Sequence, residues 1–361
     1  MEEEVQEIKN TKPKGLSSKL WMPKQVLITP AAMEEPWGRQ IYDRVKSLGL
    51  PVQELKHNRI TGLRGADERE TYRNAKSTLA IVTAPASALK LQPIPPSADW
   101  QFHLAEGCPA HCQYCYLAGS LQGPPVIRAF ANLPAILENL LHYGKANEIT
   151  TFEASCYTDP LGIDHLTGSL AETIRFFGEQ KNMNLRWVSK FSQVDELLSL
   201  PHNNNTQPRI SINTDFIARR MEGGAASIAA RLAAVRKLAL PKAEGGGGYK
   251  TGLVIAPIMP VPDWEEQYTD LLDRLEQALD FPCDITFELI SHRFTPGSKA
   301  ILQEWYPNTS IDFDETNRSL KFNKFGGKKY VYPPLTMNLL RSFFQSELKR
   351  RFPNAPVLYW T

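Results

Sequence analysis

Short apolar runs alternate with amphipathic segments through the middle of the chain. The pattern predicts strands and helices over two sets of ranges: strands at 100–104, 149–153, 185–189, 209–213, 252–257 and 285–290, and helices at 133–143, 170–177, 193–200, 225–239 and 264–279. Strands that alternate with helices form a parallel sheet. About six such strands predict an α/β fold, a partial (β/α)6 TIM-type barrel, whose ligand binds at the carboxyl ends of the strands.

A smaller α/β unit is predicted before this series, over 24–99. Strand 26–29, helix 37–48 and strand 52–55 form one βαβ unit, and a strand at 126–130 is interpreted as an accessory piece. The segment 63–76 is highly charged, which is typical of a solvated loop. Residues 1–23 are polar and charged, and predict a disordered tail.

The barrel is predicted to cover 100–295, and a C-terminal segment to cover 296–361. This last segment contains a β-hairpin at 319–332 around a Gly-Gly turn, a closing helix at 334–350 and a strand at 357–360. A glycine-rich stretch at 245–248 predicts a flexible loop, because no strand leads into it as a phosphate-binding loop requires.

Composition and charge narrow the class of protein only moderately. The 361 residues are 42% hydrophobic and 22% charged, with a net charge of +2, which is ordinary for a globular domain. The chain contains no long apolar run and no signal-peptide pattern after Met1. We therefore expect a cytoplasmic protein with reduced thiols and no association with membranes.

Three of the five cysteines, Cys108, Cys112 and Cys115, fall within one short loop with the spacing C-x3-C-x2-C. Three thiolates can hold an iron–sulfur cluster and leave one iron open, because the common cubane type takes four cysteines. Zinc is the alternative, since His103 and His111 are near, although the chain has no second C-x2-C pair. The spacing resembles the signature of radical S-adenosylmethionine (SAM) enzymes, in which SAM binds the open iron.

Several polar side chains follow predicted strands and would face the same cavity. Cys156 follows strand 149–153, and its weak S–H bond makes it a candidate hydrogen-atom donor, although a lone cysteine is most often a buried apolar residue. Tyr114 and Tyr116 beside the cluster loop could pass hydrogen atoms on, or could be core residues. Lys190 and Ser211 lie where a SAM carboxylate or ribose would bind.

The predicted hairpin interleaves basic and aromatic residues. Lysines on a surface hairpin can serve solubility alone. Basic residues beside aromatic ones are also how proteins hold phosphates and stack on or wedge between bases.

Taken together, these motifs resemble the spore photoproduct lyase family of radical SAM DNA-repair enzymes. The similarity runs from about residue 26 to the C-terminus and rests on the cluster loop through Tyr116-Leu117, the hairpin, Tyr72-Arg73-Asn74-Ala75-Lys76-Ser77-Thr78-Leu79, Ser155-Cys156-Tyr157-Thr158-Asp159, Asp284-Ile285-Thr286-Phe287-Glu288-Leu289-Ile290 and His292-Arg293-Phe294-Thr295.

The resemblance implies a [4Fe-4S] cluster, SAM as cofactor, damaged double-stranded DNA as substrate and an electron donor such as flavodoxin or ferredoxin. It implies that a 5′-deoxyadenosyl radical takes hydrogen from C6 of the lesion 5-thyminyl-5,6-dihydrothymine. Cys156 then returns a hydrogen atom, two thymines remain, and Tyr114 and Tyr116 help to regenerate SAM.

Two further groups of residues are assigned through the same resemblance. SAM contacts are implied for Thr158, Asp159, Lys190 and Ser211, and DNA contacts for His292, Arg293, Lys324, Phe325, Lys328 and Lys329. The hairpin tip has Lys324-Phe325 where members of the family have Arg-Tyr, which keeps a charge and an aromatic face but loses bidentate phosphate binding. Two alternatives remain, a radical SAM paralogue with another substrate and a zinc-stabilised nucleic-acid-binding protein.

Overall fold

The computed structural model describes residues 20–120, 123–322 and 326–361. Its strands are β1 Gln25–Ile28, β2 Val52–Glu54, β3 Thr78–Val82, β4 Gln92–Ile94, β5 Ala98–Phe102, β6 Ala105–Glu106, β7 His111–Cys112, β8 Ile127–Phe130, β9 Thr150–Ala154, β10 Met183–Ser189, β11 Thr206–Ile212, β12 Glu222–Gly223, β13 Thr251–Ile258, β14 Ile285–Ser291, β15 Ser319–Phe322, β16 Lys328–Val331 and β17 Val357–Trp360. Its α-helices are α1 Pro30–Glu34, α2 Pro36–Ser47, α3 Glu68–Lys76, α4 Leu133–Leu140, α5 Leu161–Thr167, α6 Ser169–Gly178, α7 Asp215–Met221, α8 Ile228–Ala239, α9 Trp264–Ala278, α10 Pro296–Trp305 and α11 Pro334–Arg351.

The larger sheet is the predicted half-barrel. Its strand order is β17-β14-β13-β11-β10-β9-β5-β4, and every neighbouring pair is parallel except β4 with β5. The six predicted strands are therefore present and adjacent. The C-terminal strand β17 adds a seventh parallel strand to one edge.

The two faces of this sheet differ in chemistry because side chains alternate along each strand. On one face Phe152 of β9 packs edge-on against Phe177 of α6, at 5.7 Å between ring centroids. On the other face the neighbouring Glu153 is buried among charged groups. The helices thus cover an apolar outer face and leave a polar interior.

The smaller sheet has the order β2-β1-β3-β8-β6. The predicted βαβ unit is confirmed, since β1 and β2 pair in parallel around α2. The strand expected as an accessory piece, β8, pairs with β3 in this sheet, and β6 pairs with β8. The smaller sheet therefore contains strands that precede the cysteine loop in the sequence and one, β8, that follows it.

The prediction of a loop over 63–76 is wrong. Asp67 caps α3 by accepting a hydrogen bond from the backbone N–H of Glu70 at 2.7 Å. Tyr72, Ala75 and Lys76 are buried. The helix is so rich in charge that its one buried stripe is not recognisable from the sequence pattern.

Other sequence-based assignments need correction as well. The helix predicted at 193–200 is reduced to a single 3-10 turn, Asp195–Leu197. Five helices of the described residues, α1, α3, α5, α7 and α10, have no counterpart among the predicted helices. The predicted flexible glycine loop has ordered backbone hydrogen bonds, including Gly247 N–H to Lys237 O at 2.9 Å. Gly246 is required there, because a Cβ would lie 2.1 Å from the carbonyl oxygen of Leu240.

Candidate active site

The cysteine loop lies at the carboxyl ends of the central strands. Its short strand β7 pairs antiparallel with β12, which follows β11 and α7 in the chain. Gln113 extends this pairing, donating from its main-chain N–H to Met221 O and from its side-chain amide to Arg220 O, each at 2.9 Å. The loop is therefore fixed to the barrel by main-chain hydrogen bonds.

Helix α3 holds the other side of the cysteine loop. The Lys76 ammonium donates hydrogen bonds to the main-chain carbonyls of Cys108 and Ala110. The Tyr72 hydroxyl lies 2.8 Å from Nδ1 of His111. Burial, with Lys76 nearby, lowers the pKa of His111 to about 4, so this imidazole is neutral at physiological pH.

The three loop thiols are near one another in a site that is mostly shielded from water. Burial raises the pKa of Cys108 to about 11, against the opposing effect of Lys76. Burial also raises the pKa of Cys112, and the negative charges of Glu222, Cys108 and Cys115 add to the increase. Such thiols become thiolates on binding a metal, which releases their protons.

The donor set suits a cluster with three protein ligands. No group of three or more His, Cys, Asp or Glu side chains within the described ranges converges to hold a single metal ion. A cubane cluster does not need that convergence, because each thiolate binds a different iron. Cys108, Cys112 and Cys115 would be its ligands.

The register of β5 with β9 brings the segment that carries Cys156 next to the segment that leads into the cysteine loop. Phe102 at the end of β5 pairs with Ala154 at the end of β9, so the two chains leave the sheet side by side. Between them Ser155 adopts a left-handed conformation, with φ at 60°, and accepts a hydrogen bond from Leu104 N–H at 3.1 Å. A non-glycine residue held in this region is typical of functional sites.

The Cys156 thiol keeps its proton at neutral pH. Burial raises its pKa strongly, and the nearby carboxylate of Glu153 raises it further. A protonated thiol carries the S–H bond that a hydrogen-atom donor needs. The environment of Cys156 therefore differs from that of a reactive thiolate nucleophile, which requires a lowered pKa.

The side chains predicted to bind SAM lie close together at the ends of β9, β10 and β11. Lys190 Nζ donates to Ser211 Oγ at 2.7 Å and to Ala256 O at 3.0 Å. Asp159 accepts from the main-chain N–H of Lys190 at 2.7 Å. The buried Thr158 Oγ1 has no hydrogen-bond partner among the residues described. An orphaned buried hydroxyl beside a cation and a carboxylate is suited to a polar ligand such as SAM.

Glu222 is the central residue that sequence reasoning missed. It is 3% exposed and forms salt bridges with Lys190 at 3.0 Å and Arg231 at 2.5 Å, and it accepts the hydrogen bond of Tyr114. Burial alone would raise the pKa of Glu222, but the two cations together lower it to about 2. Nothing in the local pattern marks it, because it follows a helix and ends no strand of the barrel.

The two tyrosines predicted to act beside the cluster have different surroundings. Tyr114 is buried, and burial together with Glu222 raises its pKa well above the ordinary value. Tyr116 is 37% exposed, and the Arg293 guanidinium lies 5.5 Å from the centre of its ring. One tyrosine is thus part of the polar network and the other borders solvent.

The predicted DNA-contacting residues are divided between the surface and the interior. His292 is only 2% exposed, packs among Phe294, Phe313 and Tyr332, and has a pKa lowered to about 3 by burial. The predicted hairpin is present as β15 and β16, paired antiparallel. Lys328 is exposed and Lys329 half-buried, whereas Lys324 and Phe325 lie outside the described residues.

The hairpin is anchored to the barrel through its second strand. Phe294 and Tyr330 exchange two main-chain hydrogen bonds, at 3.1 and 2.8 Å, and their rings stack at 5.3 Å. On the first strand Phe322 is 62% exposed. The hairpin therefore projects basic and aromatic side chains near the residues that follow β14.

A sequence model of the spore photoproduct lyase family matches residues 21–361. A spore photoproduct lyase from a Geobacillus species is 40% identical over 348 residues, which cover 95% of this chain and 100% of the relative. The corresponding protein of Bacillus subtilis is 39% identical over 346 residues, covering 94% and 99%. The chain belongs to the spore photoproduct lyase family.

Solved structures of spore photoproduct lyase share the fold throughout. One, complexed with dinucleoside spore photoproduct, matches with a TM-score of 0.88 and 40% identity, covering 95% of this chain and 100% of that one. Another, a mutant with bound AdoMet and dinucleoside spore photoproduct, matches with a TM-score of 0.88, 39% identity and the same coverage. The predicted half-barrel fold is confirmed by these spore photoproduct lyase structures. No helix in the described part of the chain combines the length and apolarity that a membrane crossing needs.

Proposed function

We propose that this protein is a radical SAM lyase that repairs spore photoproduct, 5-thyminyl-5,6-dihydrothymine, to two thymines in DNA. The observation that carries the proposal is the register of β5 with β9. It brings the three-cysteine loop and the protonated thiol of Cys156 to one end of the barrel. Spore photoproduct lyase structures contain AdoMet and the dinucleoside lesion, and they share this fold over nearly the whole chain.

The arrangement of the site supports an assignment of the residues that would bind the cofactors. Cys108, Cys112 and Cys115 hold the [4Fe-4S] cluster, and SAM binds beside Thr158, Asp159, Lys190 and Ser211, where the polar groups converge. When bound, the reduced cluster and SAM supply the 5′-deoxyadenosyl radical that removes a hydrogen atom from C6 of the lesion.

The chain's own residues complete the repair. Cys156 donates its hydrogen atom to the thymine radical left after the bond between the bases breaks, which balances the atom removed from C6. Tyr116 and Tyr114 would relay a hydrogen atom from 5′-deoxyadenosine to the thiyl radical of Cys156, which restores the thiol and allows SAM to be regenerated. Glu222 positions the hydroxyl of Tyr114 through their hydrogen bond.

The hairpin and the residues after β14 hold the DNA. Lys328 and Lys329 contact phosphates together with Lys324, and the hairpin with Phe325 is the wedge that holds the lesion out of the stack. Arg293, next to Tyr116, is a further DNA contact. His292 supports this surface from beneath, since it is buried. Damaged double-stranded DNA is thus the proposed substrate, with the target bases flipped out of the stack.

The wider assignments complete the proposal. The reducing electron comes from a donor such as flavodoxin or ferredoxin. A cytoplasmic location fits five unpaired cysteines, since cytosolic thiols stay reduced. The proposed domains are the unit 24–99, to which β6 and β8 add strands, the barrel 100–295, to which β4 and β17 add strands, and the C-terminal segment 296–361.

The test is lesion repair under anaerobic conditions. Reduced, cluster-loaded protein is incubated with SAM and an oligonucleotide that carries spore photoproduct, and thymine recovery is measured. An iron-containing protein that cleaves SAM but recovers no thymine would indicate a paralogue with another substrate. Purified protein that contains zinc and no iron would indicate the non-catalytic alternative.

A further inference from the structure

Lys76 is a buried lysine at the back of the cysteine loop. Its side chain leaves the last turn of α3 and is 7% exposed. The ammonium donates hydrogen bonds to the carbonyls of Cys108 and Ala110, so it bridges both ends of the turn that begins the loop. It also lies 5.9 Å from the ring centre of Tyr72, on the same helix.

This ammonium has no carboxylate partner within the described ranges. Both of its hydrogen-bond acceptors are main-chain carbonyls. Burial lowers the pKa of Lys76, and thiolates at the three loop cysteines oppose that decrease. Burying a charge without a counter-charge costs several kcal/mol, as an order of magnitude. The chain nevertheless places this cation where three thiolates form when a cluster binds.

We propose that Lys76 is a positioning residue for the cluster: it fixes the cysteine loop through two carbonyls and supplies the positive charge that balances the cluster thiolates. The inference rests on the proposed function only as far as the presence of the cluster. It assigns to α3 a role in the radical chemistry, although α3 contributes no ligand.

The charge has a consequence for electron transfer. Reduction adds one electron, taken from the external donor, to a site that already contains three thiolates. A fixed cation beside the loop stabilises the reduced form more than the oxidised form, which raises the midpoint potential. The hydrogen bonds from Lys76 to the loop carbonyls make a separate contribution, to iron binding, because they fix the backbone that carries Cys108.

Three substitutions separate the contributions. Lys76→Arg keeps the charge and the donors, Lys76→Gln keeps donors without the charge, and Lys76→Met removes both. Arg73→Met is the matched control, because Arg73 lies on the exposed face of the same helix. Iron content and the midpoint potential, followed by electron paramagnetic resonance, are measured on the reconstituted full-length chain without DNA.

We expect Lys76→Gln to retain most of its iron and to have a more negative midpoint potential than the unmodified chain. Lys76→Met is expected to show the same negative shift together with a lower iron content, while its far-ultraviolet circular dichroism stays unchanged. Lys76→Arg and Arg73→Met should keep both the iron content and the potential.

An unchanged midpoint potential in Lys76→Gln would overturn the charge assignment, and full iron content in Lys76→Met would overturn the loop assignment. If Lys76→Met does not fold, Lys76→Gln against Lys76→Arg still decides the role of the charge, and a Lys76→Arg chain that folds and keeps its iron supports loop fixation. These readouts need no lesion, so they are independent of whether the unmodified chain repairs spore photoproduct.

Discussion

The cysteines of this chain occupy different environments, and the roles proposed for them differ accordingly. Three share one loop, and Cys156 stands alone at the carboxyl end of β9, where burial and Glu153 keep it protonated. Cys283 precedes β14 at the opposite, amino end of the sheet. Cys156 and Cys283 are both lone cysteines in the sequence, and they are distinguished by lying at opposite ends of the barrel.

Replacing Cys156 with alanine should uncouple SAM cleavage from repair. The lesion radical still forms, but no S–H group is available to quench it, so thymine recovery falls severalfold and other products accumulate. The measurement is chromatography of the products together with the amount of 5′-deoxyadenosine. Cys283→Ala is the control and should repair normally; undiminished thymine from Cys156→Ala would exclude this residue as the donor.

Glu222 shows how a residue without a motif can be central. Its carboxylate pairs with two cations, the partly buried Lys190 and the fully buried Arg231, whose side chains are 17% and 0% exposed. Removing one partner of a buried network leaves the other charges uncompensated. Stability and the arrangement of Lys190 and Tyr114 therefore depend on the same side chain.

Glu222→Ala is expected to lower the free energy of unfolding by about 3–5 kcal/mol. Urea denaturation under anaerobic conditions measures this value. The comparison is Asp195→Ala, which breaks an exposed pair with Lys237, with side chains 68% and 48% exposed, and should cost less than about 1 kcal/mol. Equal effects in the two variants would mean that the buried network contributes no more than a surface pair.

At the scale of elements, α3 and the hairpin both carry several cations, and these cations have different surroundings in the two elements. On α3 one cation turns inward, to the cysteine loop, while Arg73 remains exposed. On the hairpin Lys328 is exposed, and Lys329 has a pKa lowered by partial burial and by nearby Arg293. Basic side chains thus face the cysteine loop in one element and the surface in the other.

The double substitution Lys328→Gln with Lys329→Gln should weaken DNA binding severalfold. Each phosphate contact contributes about 0.9 to the slope of log affinity against log salt concentration, so the slope should fall by up to about 1.8. Fluorescence anisotropy with a lesion-bearing duplex at several salt concentrations measures both quantities.

The control for this variant removes the same charge elsewhere. The control variant is Lys349→Gln with Arg350→Gln. These two residues lie at the far end of α11, about 22 Å along the helix from its first residue, Pro334. Affinity and salt slope should stay unchanged there. A similar loss in both double variants would point to overall charge rather than to the hairpin.

At the scale of the whole molecule, α5 joins the two sheets. Ile163 and Leu166 pack in the apolar cluster of the smaller sheet, and Leu161 packs in that of the half-barrel. Between them Asp164 is buried and accepts a hydrogen bond from Leu170 N–H at 2.7 Å. Burial raises the pKa of this carboxyl from 3.8 to about 6.

This shift makes a defined contribution to the pH dependence of stability. The folded chain binds the Asp164 proton more tightly than the unfolded chain, so the contribution grows as the pH falls from above 6 toward 4. Asp164→Asn should remove it. The difference in unfolding free energy between the unmodified chain and Asp164→Asn should therefore shift in favour of the unmodified chain on acidification, as measured by urea denaturation at several pH values.

Asp43→Asn, an exposed substitution on α2, is the control and should follow the pH dependence of the unmodified chain. A difference between the unmodified chain and Asp164→Asn that does not vary with pH would mean that Asp164 is ionised in the fold like any surface carboxyl.

The sequence by itself determined the half-barrel, because its strands are apolar runs separated by helices, and periodicity depends only on neighbouring residues. It also identified the loop of Cys108, Cys112 and Cys115, since cysteines with fixed spacing form a local pattern. It placed Cys156, Lys190 and Ser211 at one edge of the sheet, because the ends of parallel strands share an edge.

Only the tertiary structure decided which charges are buried and with what partners. Lys76 and Arg73 belong to one charged stretch, yet only Lys76 reaches the cysteine loop. Glu222 meets Lys190 and Tyr114 across separations of 32 and 108 residues. Such contacts form when distant elements pack, and an isolated charged residue gives the same signal in the sequence whether it faces water or completes a site.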